Sequence, residues 1–224
     1  MTPSGGRRSP LGSSVRRSTA VLVVVAAAAV GIVAGILIHR HASGSSGSHS
    51  LSEYRGQAVW PAGLRRAPDF ALPDQSGRPL SLSSLRGGPV ILAFMDSHCH
   101  QECPLEGRAL AAAFRMVPAS DRPVVVAVSV NPWEDTPASA HRAIRRFGLA
   151  GFRWRWLLGS KRRLEPVWRR YRIEVRRARG DIIHTDALYL IDGHGFERAG
   201  MVYPFLPSWV SDDLKALSRE AAGA

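Results

Sequence analysis

Two cysteines make up the whole thiol inventory of this 224-residue chain, and only three residues separate Cys99 from Cys103. Paired thiols this close have three uses: a structural disulfide, a thiol-disulfide redox couple, or a soft metal site. A bridge around three intervening residues constrains the unfolded chain little, so it would be a weak staple. Histidines supply candidate nitrogen donors. His98 and His100 flank Cys99 and are candidate auxiliary ligands, while His184 opens the run HTDALYLID, eight residues before Asp192. His39, His41, His49, His141 and His194 read as solvated or turn residues.

The elements that must position these groups follow from hydrophobic patterning. Val90 to Met95, bounded by Pro89 and Asp96, reads as a buried parallel strand, and Pro104 followed by Leu105, Leu110 and Phe114 reads as a helix beginning. The two thiols are therefore expected on a strand-to-helix turn, where backbone N–H groups and the positive end of the helix dipole stabilise thiolate. Ahead of it, Ala67 to Asp74, Gly77 and Leu80 to Leu82 suggest two short strands joined by a turn. After it, Pro123 to Val130 is a second continuous apolar strand. Asp135-Thr136-Pro137 predicts a helix start, Ala140, Ile144 and Phe147 fall at helical spacing, and Gly148 closes the end. Phe152 to Leu158 reads as a strand, Ser160 as the cap of a helix carrying Leu164, Val167, Trp168 and Tyr171, and Ile173 to Val175 as a short extended piece. Residues 176–181 read as a charged loop. Ala187 to Ile191 and Phe196 to Val202 flank the hairpin turn Asp192-Gly193-His194-Gly195, and Ser208 to Ala222 has the pattern of a last helix. Trp154, Trp156, Trp168 and Trp209 are expected to pack. This order of elements predicts a three-layer α/β/α domain.

The N-terminal stretch has a different composition. Thr19 to Ile38 is uncharged and largely apolar, long enough at about 1.5 Å per residue to span a bilayer's hydrocarbon core. Arg7, Arg8, Arg16 and Arg17 precede it and Arg40 follows, so the positive-inside rule predicts a cytoplasmic segment 1–18, a single transmembrane anchor 19–38 and an extracytoplasmic domain. Residues 39–60, which include ASGSSGSHSLS, are expected as a flexible linker, leaving 61–224 as the domain. The formal charge of +12 rests almost wholly on arginine. No nucleic-acid motif accompanies it, so nucleic acid is not an expected partner. Between Arg153 and Arg179 eleven basic side chains face only Glu165 and Glu174, a solvated face or a docking face for an acidic partner or anionic lipid.

The entry APDFALPDQSG, the turn CHQECP, the segment from Asn131-Pro132 to Asp135-Thr136-Pro137, Tyr171, and His184 in HTDALYLID together resemble the Sco/SenC family of thioredoxin-fold copper chaperones for cytochrome c oxidase. The resemblance implies a thioredoxin-like domain with one copper ion, Cu(I) or Cu(II), held by Cys99, Cys103 and His184. It implies as partner the copper-binding subunit of the oxidase or another extracytoplasmic cuproprotein, with membrane lipid met through the anchor. Two thiolates suit Cu(I), an imidazole also tolerates Cu(II), and three donors leave a position open for handing the ion on. The chain departs from the family's usual turn in carrying Met95-Asp96-Ser97-His98 before the first cysteine and His100 between the two. The alternative from another class is a thiol-disulfide oxidoreductase in which Cys99 and Cys103 are the redox pair. Three intervening residues instead of two, and Thr185-Asp186 where such enzymes place a proline before the facing strand, favour the chaperone. A peroxiredoxin fits less well, because Leu92 and Asp96 stand where that family has proline and threonine or serine.

Overall fold

The computed structural model describes residues 51–223, so the expected cytoplasmic segment and transmembrane anchor lie outside the described residues. In chain order the elements are β1 (Ala58–Val59), β2 (Ala71–Pro73), β3 (Pro79–Ser81), β4 (Val90–Met95), α1 (Glu102–Arg115), β5 (Val124–Ser129), α2 (Pro137–Arg146), β6 (Trp154–Leu157), α3 (Lys161–Arg170), β7 (Val175–Ala178), β8 (Asp181–His184), β9 (Ala187–Ile191), β10 (Glu197–Val202) and α4 (Pro207–Gly223). Among the described residues no helix is long and apolar enough to cross a membrane.

Strands β1, β10, β9, β4, β5 and β6 form one sheet in that order. β4 is parallel to β5, and β5 to β6, whereas β9 runs antiparallel to β4. All six residues of β4 are buried, because both sheet faces are covered. Ile91, Ala93 and Met95 point to one side, into a core with Leu110 and Phe114 of α1, Ile144 of α2 and Leu214 of α4. Val90, Leu92 and Phe94 point to the other, against Leu164 and Trp168 of α3 and the β2–β3 ribbon. This is the expected three-layer arrangement, and it explains why the two central strands read as unbroken apolar runs. Trp156 and Trp168 are buried, and Trp154 and Trp209 pack against the first core.

Three readings change. Residues 176–181 are not a loop: β7 and β8 pair antiparallel from Val175↔His184 to Ala178↔Asp181. Arg179-Gly180 makes the turn between them, and Gly180 takes the positive φ of 74° that such a turn needs. Its charged residues hide the strand because the ribbon covers the second core with Val175 and Ile182 alone. The helix expected to begin at Pro104 begins two residues earlier, at Glu102, and its inward stripe falls on Cys103, Glu106, Gly107 and Leu110, leaving Leu105 exposed while Glu106 is buried. Residues 51–60, expected as the end of the linker, pack on the domain: β1 pairs with β10, and Asp213 on α4 accepts hydrogen bonds from the backbone N–H groups of Arg55 and Gly56.

Candidate metal-binding site

The site lies where the carboxyl ends of β4 and β5 meet, the end of a parallel sheet at which open α/β folds bind ligands. Because β9 is antiparallel to β4, it starts at this same end, so its leading residues, His184 to Asp186, come round beside the turn after β4.

Cys99 is the last part of that turn, half-buried, and Cys103 sits fully buried within the first turn of α1; both are free thiols. The backbone N–H of Cys103 donates to Cys99 Sγ at 3.4 Å. The Cys103 thiol above all, with the N–H groups of Cys103, Gln101 and Glu102, overcomes the cost of burial and lowers the Cys99 pKa to about 6. Cys103 moves the other way, well above the ordinary thiol range, because the Cys99 sulfur it serves, its burial and the nearby Glu106 all disfavour a second negative charge. The result is one thiolate and one thiol: a helix N-terminus holds Cys99 ionised next to a protonated neighbour.

The turn is held from below and from the side. Asp96 Oδ1 accepts from His98 N–H at 2.8 Å and from Asn131 Nδ2 at 3.1 Å. Asp135, read as part of a helix start, turns inward: its carboxylate accepts from Ser97 N–H at 3.0 Å, from the Ser97 hydroxyl, and from Ser129 Oγ at 2.6 Å. The capping itself is done by Thr136, paired with Ser139 in a capping box. Burial raises the Asp135 carboxyl to about 6 against those hydrogen bonds. Arg146, at the last turn of α2, donates from Nη2 to the carbonyls of Ser97 at 2.9 Å and Cys99 at 2.8 Å, and its Nη1 lies 3.5 Å from His100 Nδ1. Asn131 and Asp135 were visible as a motif. Nothing in the sequence separates Arg146 from Arg142 and Arg145.

His184 ends β8, half-buried, with Nδ1 3.1 Å from the Thr185 carbonyl. Two buried carboxyls, Glu106 and Asp186, lie in the same region. Glu106 on α1 and Asp186 face each other; burial first, and then the facing acid, keep Glu106 well above the usual carboxylate range. Burial likewise raises Asp186, opposed chiefly by the attraction of His184. Glu106 thus neighbours the thiols and Asp186 neighbours His184. The structure therefore brings the two cysteines together, with Glu106 beside them and Asp186 beside His184. Among the described residues no three His, Cys, Asp or Glu side chains are gathered into a ready metal cluster. His98 and His100 are engaged elsewhere, His98 Nε2 3.1 Å from the Glu134 carbonyl and His100 beside Arg146.

Residues 62–217 of the chain match the family model SCO1/SenC. The chain is a member of the SCO1/SenC family. Among curated relatives, "Protein SCO2 homolog, mitochondrial" of Mus musculus is 30% identical over 138 residues, which are 57% of this chain and 52% of that protein. "Protein SCO1 homolog 1, mitochondrial" of Arabidopsis thaliana is 32% identical over 127 residues, 55% of this chain and 35% of that protein. The chain therefore spans no more than about half the length of these SCO relatives. Among solved structures, "Structure of Bradyrhizobium japonicum ScoI with copper bound" is 26% identical with a TM-score of 0.58, covering 68% of this chain and 99% of that one. A SCO1/SenC family lipoprotein from Bacillus anthracis, 23% identical, gives a TM-score of 0.62 over 72% of this chain and 99% of that one, and that likeness shows the shared thioredoxin-like fold.

Proposed function

We propose that this SCO1/SenC family member is a copper carrier that loads the copper centre of cytochrome c oxidase, taking up one copper ion on Cys99, Cys103 and His184 and passing it to the oxidase subunit or another extracytoplasmic cuproprotein. The observation that carries the reading is the pair of thiols at the start of α1, one of them held as thiolate. Thiolate is the form that binds a soft ion, and Cu(I) prefers sulfur. Two sulfurs and one imidazole fit copper in either oxidation state, and three donors leave a place for an incoming ligand from the recipient. The relative from Bradyrhizobium japonicum with copper bound supports copper as the ion. In this reading His184 closes the site from the end of a two-stranded ribbon outside the main sheet, held to the second core by Val175 and Ile182. The apolar run Thr19 to Ile38 supports a membrane tether with the domain on the extracytoplasmic side.

The reduced full chain is expected to bind one copper ion. Cys99→Ala, Cys103→Ala and His184→Ala should each weaken binding, the histidine change by at least about 10–100-fold in affinity, the scale seen for lost metal partners. Unchanged stoichiometry and affinity in all three variants would rule out the site. Catalytic insulin reduction that persists in His184→Ala would instead assign the thiols to disulfide exchange.

A further inference from the structure

We propose that the β7–β8 ribbon and the loop after β5 form a docking surface for an acidic protein, the partner with which the metal is exchanged; the metal part of this statement rests on the function proposed above. The ribbon's two faces differ. On the inner face Val175 and Ile182 pack on the second core. Arg177, which pairs with Ile182 and so shares that face, lays its guanidinium 5.3 Å from the ring centroid of Trp133. On the outer face Arg176 and Ile183 stand directly opposite each other, both exposed, and Arg179 is exposed at the turn.

Trp133 is 39% exposed and Ile183 48% exposed, although the fold has two cores able to take large apolar side chains. The two are joined to the thiols by contacts already described. Glu134, next to Trp133, meets His98, and His98 adjoins Cys99; at the other edge the ribbon ends on His184. An exposed indole with a stacked arginine is the composition of a protein interface centre, where tryptophan and arginine concentrate binding energy. Stacking leaves the guanidinium's edge N–H donors free to fork onto a partner's carboxylate. Glu134 beside the indole, Glu174 immediately before β7 and Asp181 on β8 are also exposed. Interspersed signs set a register with a protein of complementary pattern, whereas a lipid headgroup layer rewards basic charge alone.

The probe is the soluble copper-binding domain of the oxidase subunit, titrated calorimetrically into the full chain at about 0.05 M and about 0.3 M salt, on either side of the concentration at which surface charges are screened within about 10 Å. Association is expected to weaken at the higher salt, and at least tenfold in Trp133→Ala and in Arg176→Glu/Arg177→Glu, with one copper per chain retained in both variants. Arg177→Lys, which keeps charge and loses the fork, should lose less. Association of the wild type without copper supports the surface even if the carrier reading fails. Three results overturn the proposal: no association at low salt, association indifferent to these substitutions, or binding only to anionic phosphatidylserine vesicles. Loss of copper stoichiometry in the ribbon variants would also overturn it, by assigning these residues to the metal site instead.

Discussion

At Cys99 the local geometry turns a poor nucleophile into a good one. Its pKa of about 6 stands below the ordinary 9.0 because the Cys103 thiol and three backbone N–H groups favour the charged sulfur. Alkylation of the reduced chain by iodoacetamide should therefore rise with a midpoint near pH 6 at one cysteine, identified by mass spectrometry as Cys99, while Cys103 stays unmodified. A single midpoint at pH 8 or above would contradict the assignment. The same shift has a stability consequence whose sign is fixed. A folded-state pKa lowered below the unfolded one contributes stability above pH 9 that fades as pH falls through 9 towards 6 and is gone below it. The melting temperature of the wild type relative to Cys99→Ser should thus shrink across that window. Because Cys99 is only half-buried, solvent screening keeps the effect modest.

The helix that bears Cys103 is positioned by close packing as much as by its turn. Gly107 on α1 meets Phe147 just past α2, where a Cβ would lie 2.5 Å from Phe147 Cβ and 2.8 Å from its carbonyl oxygen. Those neighbours are backbone or attached to it and cannot swing aside. Gly107→Ala would gain roughly 1 kcal/mol of helix propensity and lose about 1–3 kcal/mol to overpacking, so overpacking wins. A melting temperature lower by about 2–6 °C is expected, together with weaker copper binding as α1 moves off α2 and takes Cys103 from Cys99. The β4, β5 and β9 strands were legible because burial on two faces leaves an unbroken apolar run. The β7–β8 ribbon was not, since it covers the core with two side chains and its strand character comes from pairing between segments that each look like a charged loop.

At the scale of the whole domain, the residues from Leu51 to Trp60 close the structure. Tyr54 is buried, with its hydroxyl 3.1 Å from Glu220. β1 covers the edge of β10. Asp213 is fully buried and takes both its described hydrogen bonds from the backbone at Arg55 and Gly56. Removing everything before residue 61 would strand that carboxyl without donors and bare a sheet edge. We expect the chain beginning at 61 to be less stable than the one beginning at 49 by about 3 kcal/mol or more, measured by urea denaturation, and more prone to aggregate through the bared edge. Equal stability of the two would mean the segment is only a linker.

Residue types alone were enough for the kind of chemistry: two thiols with three residues between them, a strand before them, a helix after them and a late histidine, because apolar periodicity and thiol softness are local properties. The family resemblance singled out His184 among eight histidines. Only the tertiary structure decided which thiol is ionised, since that depends on which sulfur receives the amides at the helix start. It alone revealed that Asp135 serves the thiol turn rather than the helix cap, that Arg146 clasps the carbonyls of Ser97 and Cys99, and that Glu106 and Asp186 form a buried carboxyl pair. These relations join residues 35 or more positions apart in most cases, and such contacts follow from how the sheet orders its strands, which no local pattern records.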